Sequence, residues 1–500
     1  MTRKPLWQQR AIRVFFYQAP VLTTIGLALF IPLLVAVFEA RGIPSWHESR
    51  SYLIPALIAL GIGLFIGRQR AAITKLSAND ALLITTAAWL VVGVVGSLPF
   101  ILLLDTPVVD ALFESVSGFT TAGTTMLVGL DSLPRSILVW RSLTQWLGGL
   151  GILLIILLIG QSQGNQGLHL LSAEGVKVSS GRLSLNFQRA AYRFTIIYLV
   201  LTCSQILITA ILGMSLFDAV SHAMTTVSTG GFSPHDESLA YYRNHPQLFP
   251  NFVAIELTVI IFMLAGGINF YVLYRLGRRQ ISALWDGLEM RLIWVVVALA
   301  TLIIMINAWL FLKGSLADWL LRSLFLVASL VSTTGYEITP TGAFPRLSRE
   351  IVLLLMILGG GAGSTAGGIK FIRLAVLGKF LSYEIRQLRL PSHAVHMPFI
   401  DGRPITNKTF RQAVFVLLLW LIYIALAGSI VSLNAPHLPI ADAYSTVFSA
   451  IGVYGPSFLA VEEVIAFPNL VKGVLILGML AGRLEILPLL VFFNINAWRR

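Results

Sequence analysis

Four stretches of this sequence share one register: Asp110 to Gly123 (DALFESVSGFTTAG), Asp218 to Gly231 (DAVSHAMTTVSTGG), Arg322 to Gly335 (RSLFLVASLVSTTG) and Asp442 to Gly455 (DAYSTVFSAIGVYG). They align without a gap. Three open on Asp-Ala, and all four end on a glycine thirteen residues after their first residue. Each carries a hydroxyl residue six positions before that glycine: Ser117, Thr225, Ser329 or Ser449. The glycines recur at intervals of 108, 104 and 120 residues, so the chain reads as one unit used four times. Glycine also serves close helix packing in membranes, but packing sets no constant distance from an Asp-Ala pair.

Each stretch lies between two apolar runs. Ten such runs, at 21-39, 52-67, 82-104, 140-160, 194-213, 252-274, 292-312, 350-370, 412-434 and 470-493, are long enough as helices to cross a hydrocarbon core of about 30 Å. The 500 residues are 56% hydrophobic and 12% charged, where a water-soluble globule carries about 25% charge. Lipid is therefore the solvent for most of the chain. The first apolar run is followed by a second and not by a small-residue cleavage site, so it reads as a retained helix. Cys203 excludes an intrachain disulfide and reads as a small buried hydrophobe.

The net charge of +13 is a matter of placement. With the N-terminus in the cytoplasm, Arg3, Lys4, Arg10, Arg13, Arg68, Arg70, Lys75, Lys177, Arg182, Arg275, Arg278, Arg279 and the dense Lys370 to Arg411 stretch all fall on one side. That asymmetry puts both termini inside. It attracts anionic membrane lipid and calls for no nucleic-acid partner.

The implied fold is an all-α polytopic membrane protein. An N-terminal helical hairpin (1-79) precedes four helix, pore-loop, helix repeats (80-185, 186-285, 286-390 and 391-500) around a pseudo-fourfold central pore. An Asp opening a short helix caps free N–H groups and suits the positive end of the dipole. A helix of about ten residues is too short to span, and irregular backbone at membrane depth persists only where protein buries it or water lines it. Four such loops about one axis would direct backbone carbonyls to replace the hydration shell of a monovalent cation. Glycine supplies the backbone conformations that a Cβ penalises.

Below the loops, Leu358 to Lys370 (LGGGAGSTAGGIK) is too glycine-rich to run as a helix and should break at mid-membrane. A phosphate-loop reading fails, because no Gly-Lys-Ser/Thr follows at the required spacing and no strand precedes it. Leu480 to Pro488 (LAGRLEILP) puts Arg483 at the corresponding place in the fourth repeat, at an insertion cost of about 2.5 to 3.5 kcal/mol. Such a charge is functional or paired, with Glu485 the nearest structural partner. Small-residue segments at Trp146 to Gly151 and Leu264 to Phe270 occupy the same place in repeats one and two. Asn269 reads either as cavity-lining or as an interhelical hydrogen bond, and Glu114 either as shaping the electrostatics of the entrance or as a cap or ion-pair partner. His393 and His396 read as a solvated loop and not as metal ligands. A membrane enzyme using His222, His235 and Asp236 lacks a nucleophile and base in a workable constellation.

The loops Thr120 to Thr125 (TTAGTT), Ser228 to Ser233 (STGGFS), Ser332 to Glu337 (STTGYE) and Gly452 to Ser457 (GVYGPS) resemble the four filter loops of the Trk/Ktr/HKT superfamily of potassium transporters, over about residues 80 to 493. The leading hairpin resembles the extra helix pair of the bacterial TrkH branch. The resemblance implies a potassium-binding filter built from Thr120, Thr121, Ala122 and Gly123; Ser228, Thr229, Gly230 and Gly231; Ser332, Thr333, Thr334 and Gly335; and Gly452, Val453, Tyr454 and Gly455. In that family a filter glycine in every repeat goes with potassium, whereas serine in the first goes with sodium in some plant members, so Gly123 favours potassium. A sodium-conducting or weakly selective transporter of the same fold is the alternative. The chain departs from the family pattern at Ala122, Tyr336, Glu337 and Val453-Tyr454.

The resemblance further implies a gating loop made of Gly359, Gly360, Gly361, Ala362, Gly363, Ser364, Thr365, Ala366, Gly367 and Gly368, with Arg483 facing the cavity beneath the filter and impeding leak. It implies potassium uptake across the bacterial inner membrane, a homodimer, and a cytosolic ring of nucleotide-binding regulatory subunits that could dock on the Lys370 to Arg411 loop. Potassium is then the substrate ion, with no cofactor and no transition metal. Channel-like flux and ion-coupled symport are both open.

Overall fold

The computed structural model describes residues 6–42, 44–68, 77–162, 183–388 and 398–499; His393 and His396 lie outside them, as do Arg3, Lys4, Arg70, Lys75, Lys177 and Arg182. Among the described residues the architecture is helical, apart from two pairings of two-residue strands.

The leading hairpin pairs Ala19–Ala28 and Phe30–Glu39 with Trp46–Arg68. It is close-packed through small residues: a Cβ on Gly63 would lie 3.0 Å from the Thr23 nitrogen and 3.1 Å from the Ala19 oxygen. Ser77 and Asp80 form a capping box at the start of the next helix, where Asp80 also pairs with Arg10 at 3.2 Å and Arg13 at 3.3 Å.

Each of the four repeated stretches then sits in the same setting, between a leading and a trailing helix. The leading helices are Ala78–Leu104, Leu183–Ile211, Leu288–Phe311 and Asn407–Asn434. The short helices are Val108–Thr120, Leu216–Val227, Leu316–Ser332 and Ile440–Gly452, of 13, 12, 17 and 13 residues. At 1.5 Å per residue none reaches the full thickness of a bilayer core. Their flanks are largely buried, whereas the leading helices show long apolar faces outward, including Leu299, Leu302 and Ile303 of the third and Leu418, Leu421 and Ile422 of the fourth. Such faces are stable only against lipid, so this is a multi-pass membrane protein.

The trailing helices differ from the sequence expectation. Among the described residues six helices are long and apolar enough to span, or eight if each bent pair counts as one, against ten expected runs. The first trailing helix, Arg135–Ser162, passes unbroken through its glycines. The second is Phe252–Gly267 followed by Phe270–Gly277 at 113°, and the fourth is Asn469–Arg483 followed by Leu487–Phe493 at 118°. The third stops at Ile357 and resumes at Phe371. Only this third break was expected. In the second, extended Ile268 ends one half and the Asn269 side chain caps the next, its Oδ1 accepting from Tyr271 N at 2.8 Å. In the fourth, Glu485 and Ile486 turn left-handed at φ 57° and 63°, and Pro488 opens the next half without needing a partner for its nitrogen.

Two further expectations are corrected. Cys203 is exposed on an outward face, not buried. The repeated Asp residues sit in the first turn of their helices and do not cap them: Ser215 caps the second helix, Ser315 the third, and prolines precede the first and fourth.

Candidate functional site

All four short helices end identically. Ala122, Gly230, Thr334 and Tyr454 donate their N–H to the carbonyl five residues back, at 2.8, 2.7, 2.9 and 3.0 Å. The residues before them, Thr121, Thr229, Thr333 and Val453, donate three residues back at 2.9, 2.9, 3.0 and 3.3 Å. This pair of bonds is the Schellman closure, which places one residue in the left-handed region and usually assigns it to glycine. Here that residue is β-branched in every copy, at φ 58°, 57°, 54° and 58°. A β-branched side chain is strained there, so the surrounding structure over-determines the loop. Two positions on, Gly123, Gly231, Gly335 and Gly455 are left-handed again, at φ 80°, 81°, 83° and 106°.

The repeated hydroxyl residues fasten the loops from behind. Ser329 Oγ accepts from Gly335 N at 3.1 Å and donates to Tyr336 O at 2.9 Å. Ser449 Oγ accepts from Gly455 N at 2.9 Å, and Ser117 Oγ donates to Thr124 O at 2.5 Å. Thr225 departs from the pattern: its carbonyl takes both Gly230 N and Gly231 N, while its hydroxyl meets Tyr336 Oη at 2.5 Å. Tyr336 also donates to His222 O at 3.1 Å, so the phenol ties the third loop to the second short helix.

The four glycines meet. A Cβ on Gly123 would strike the carbonyl oxygen of Gly230, one on Gly231 that of Thr334, one on Gly335 that of Tyr454, and one on Gly455 that of Ala122. The contacts run from the first loop to the second, third and fourth and back to the first, which closes a ring. Thr124 Oγ1 adds a direct bond to Gly455 O at 3.0 Å across the first and fourth loops. Among the described residues no N–H or O–H reaches the carbonyl oxygens of Ala122, Gly123, Thr334, Gly335 or Tyr454. Buried carbonyls are nearly always satisfied, so a cluster of bare ones around one point suits a cation.

Buried polar side chains that the sequence reading passed over hold this ring in place. Gln145 spans the second loop, its Nε2 donating to Gly230 O at 2.7 Å and its Oε1 accepting from Phe232 N at 3.0 Å. Arg141 pairs with Glu114 at 2.8 Å and donates to Ser233 O at 3.0 Å, while Glu114 accepts from Met126 N at 2.7 Å. Glu114 is thus an internal ion-pair partner. Farther out, ion pairs link neighbouring units: Lys472 to Asp110 at 2.6 Å, Arg349 to Asp442, and Arg243, which also binds Glu256 of its own unit at 2.6 Å, to Asp318 at 2.5 Å. Between the first and second units, His235 lies between Asp131 at 2.5 Å and Asp218 at 3.5 Å. Burial depresses the His235 pKa, but hydrogen bonds to Asp218 and Asp131 outweigh it and hold the pKa above the ordinary histidine value.

Beneath the ring lies the segment Gly359 to Gly368, entirely buried and closed at its feet by a parallel pairing of Leu358 with Ile369 and Gly359 with Lys370. It touches the second, third and fourth units directly and is joined to the first through Arg483. Thr365 Oγ1 donates to Val227 O and Gly266 O, both at 3.0 Å. Gly367 N donates to Thr333 Oγ1 at 2.8 Å, and a Cβ on Gly367 would meet that of Val453 at 2.5 Å. Arg483 joins it to the first unit, donating to Thr365 O at 2.6 Å and Gly148 O at 3.1 Å. Of the two readings open for Arg483, the pairing with Glu485 does not form; Glu485 binds Arg373 instead. Arg483 is 3% exposed and takes two backbone carbonyls in place of a carboxylate, with the Trp89 ring 5.9 Å away. Thr120, Ser228, Ser332 and Gly452 end or close the short helices directly behind the ring, and Ala362, Gly363, Ser364 and Ala366 complete the segment below.

A family model described as TrkH, cation transport protein, matches residues 54–498. The chain belongs to the TrkH family of cation transport proteins. It is 31% identical to the Trk system potassium uptake protein TrkH of Salmonella typhimurium over 483 residues, covering 94% of this chain and 96% of that one. It is 30% identical to the protein of the same name from Halomonas elongata, over 96% and 98% of the two chains. Its fold matches the crystal structure of the potassium transporter TrkH from Vibrio parahaemolyticus with a TM-score of 0.84 and 27% identity, over 98% of this TrkH-family chain and 99% of the other.

Proposed function

We propose that this chain takes up potassium across a bacterial inner membrane through the ring of four loops, with both termini in the cytoplasm. The observation that carries the reading is the cyclic closure of Gly123, Gly231, Gly335 and Gly455, with the carbonyls of Ala122, Gly123, Thr334, Gly335 and Tyr454 served by no donor among the described residues. Peptide oxygens held this firmly replace water around a dehydrated monovalent cation. The names of the relatives, potassium uptake protein and potassium transporter, support the choice of ion.

The segment Gly359 to Gly368 acts as the gate. It lies across the line below the ring and carries the flexibility of its glycines, and Arg483 both holds it and sets a positive charge beneath the ring. Gate opening breaks the Arg483 to Thr365 bond and clears the path. A homodimer and a cytosolic nucleotide-binding regulator belong to the same reading, which rests for them on the family and on the Trk system named in the relatives.

The test is isotopic rubidium uptake into proteoliposomes with potassium or sodium as competitor. Strong suppression by potassium and little by sodium is expected. Equal suppression by both ions would replace this reading with a weakly selective cation pathway, and no uptake would remove it.

A further inference from the structure

The gating segment has a second attachment besides Arg483. Glu289, in the first turn of the third leading helix, accepts through one oxygen, Oε1, from Ala362 N at 2.8 Å and from Ile372 N at 3.2 Å. One nitrogen lies inside the segment, at its fourth residue, and the other just past its end, where the following helix begins. A single carboxylate therefore clips the first half of the segment to the helix that follows it, beside the pairing of Leu358 and Gly359 with Ile369 and Lys370. A Cβ on Gly361 would already lie 3.7 Å from the Glu289 carboxyl carbon, so the side chain packs against the segment as well as bonding to it.

The helix that carries Glu289 is itself held at its first residue. Leu288 N donates to Asp401 Oδ1 at 3.0 Å and Oδ2 at 3.3 Å. Asp401 sits with Gly402 in the left-handed turn of the small hairpin that pairs Phe399 with Pro404 and Ile400 with Arg403. The tip of this hairpin is exposed. Leu288 and Glu289 are adjacent, so movement of the hairpin tip reaches the clip with one residue in between.

We propose that Glu289 is the positioning residue that latches the gating segment shut, and that Asp401 on the surface hairpin sets the position of that latch. The proposal rests on the reading of Gly359 to Gly368 as the gate. A carboxyl oxygen shared by two peptide N–H groups in a partly buried site is a tie to both, and its removal leaves both donors unserved. A partner or ligand that pulls the hairpin tip away draws Leu288 with it and loosens the clip.

The experiment compares basal rubidium uptake by purified wild type, Glu289→Ala, Glu289→Gln, Asp401→Asn and Arg483→Ala in proteoliposomes. The expected order is a rise of about tenfold for Glu289→Ala, a smaller rise for Glu289→Gln, which keeps a neutral acceptor, and a smaller rise again for Asp401→Asn. Damage to the fold lowers uptake, so a rise with an unchanged elution profile separates unlatching from misfolding. Should Glu289→Ala fail to fold, the shape-conserving Glu289→Gln decides by the same sign. If Arg483→Ala raises uptake while the Glu289 and Asp401 variants stay at the wild-type rate, the latch is overturned and the gate stands. If none of them rises, gate and latch fall together.

Discussion

Replacing Gly455 by alanine tests the ring at its most open joint. The new Cβ would lie 2.7 Å from Ala122 O and 2.9 Å from Gly123 C, inside the 3.0 Å that real Cβ atoms keep. Restoring an ordinary contact of 3.4 Å to the oxygen requires 0.7 Å of movement, and both neighbours are backbone of the first loop. The position is also left-handed at φ 106°, which costs a residue with a Cβ about 1–2 kcal/mol. That cost alone is a factor of about 5–30 against the wild-type ring geometry. The control is Gly473→Ala in the fourth trailing helix, where nothing lies within 4 Å of the added carbon and alanine favours the helix. Rubidium uptake measured as initial rates, with and without sodium, should fall about tenfold for Gly455→Ala and lose its preference for potassium over sodium, while Gly473→Ala matches wild type. A folded Gly455→Ala protein with wild-type rate and competition would refute the reasoning that this carbonyl ring selects the ion.

Three more outcomes follow from the surroundings of the ring. Tyr336→Phe removes the phenol that binds Thr225 and His222 O, and should lower stability by about 1–3 kcal/mol, read as a lower melting temperature with uptake retained. Lys472→Ala leaves Asp110 charged and buried, at a cost of about 3–5 kcal/mol; adding Asp110→Asn should recover much of it, and additive losses in the double-mutant cycle would contradict the pairing. The pKa of His235 is raised in the folded protein, so the stabilisation it gives is complete below the unfolded histidine value and is lost as pH rises through the folded value. The melting-temperature difference between wild type and His235→Gln should therefore shrink with rising pH across that range, and a constant difference would sink this account of the outer loops.

The ring was legible because its register is local. Thirteen residues from first residue to glycine, with a hydroxyl at a fixed place, is a pattern that backbone closure imposes within one short helix and its loop, and the same bonds recur at Ser117, Thr225, Ser329 and Ser449. Partners from distant sequence left no such trace. Asp110 was visible as a first-turn acid, but Lys472 lies 362 residues away and nothing in the pattern joins the two. Hydropathy also hid the breaks in the second and fourth trailing helices, since Ile268 and Ile486 are as apolar in a turn as in a helix; the polar Asn269 and the Pro488 beside the break were the available signals. Gln145 carried a similar signal, a polar side chain where an apolar run offers it no solvent. Thr121, Thr229, Thr333 and Val453 ran against local preference, because a left-handed β-branched residue is what propensity argues away from. Strain of that kind concentrates where function demands a fixed backbone.

The most direct measurement is a density map of the protein in rubidium or thallium salt, with anomalous or difference density examined on the line enclosed by Gly123, Gly231, Gly335 and Gly455. The account predicts heavy-ion density there, equidistant from the four loops and lost on exchange into sodium. An empty ring in rubidium, with the ion bound elsewhere or nowhere in the protein, would contradict it.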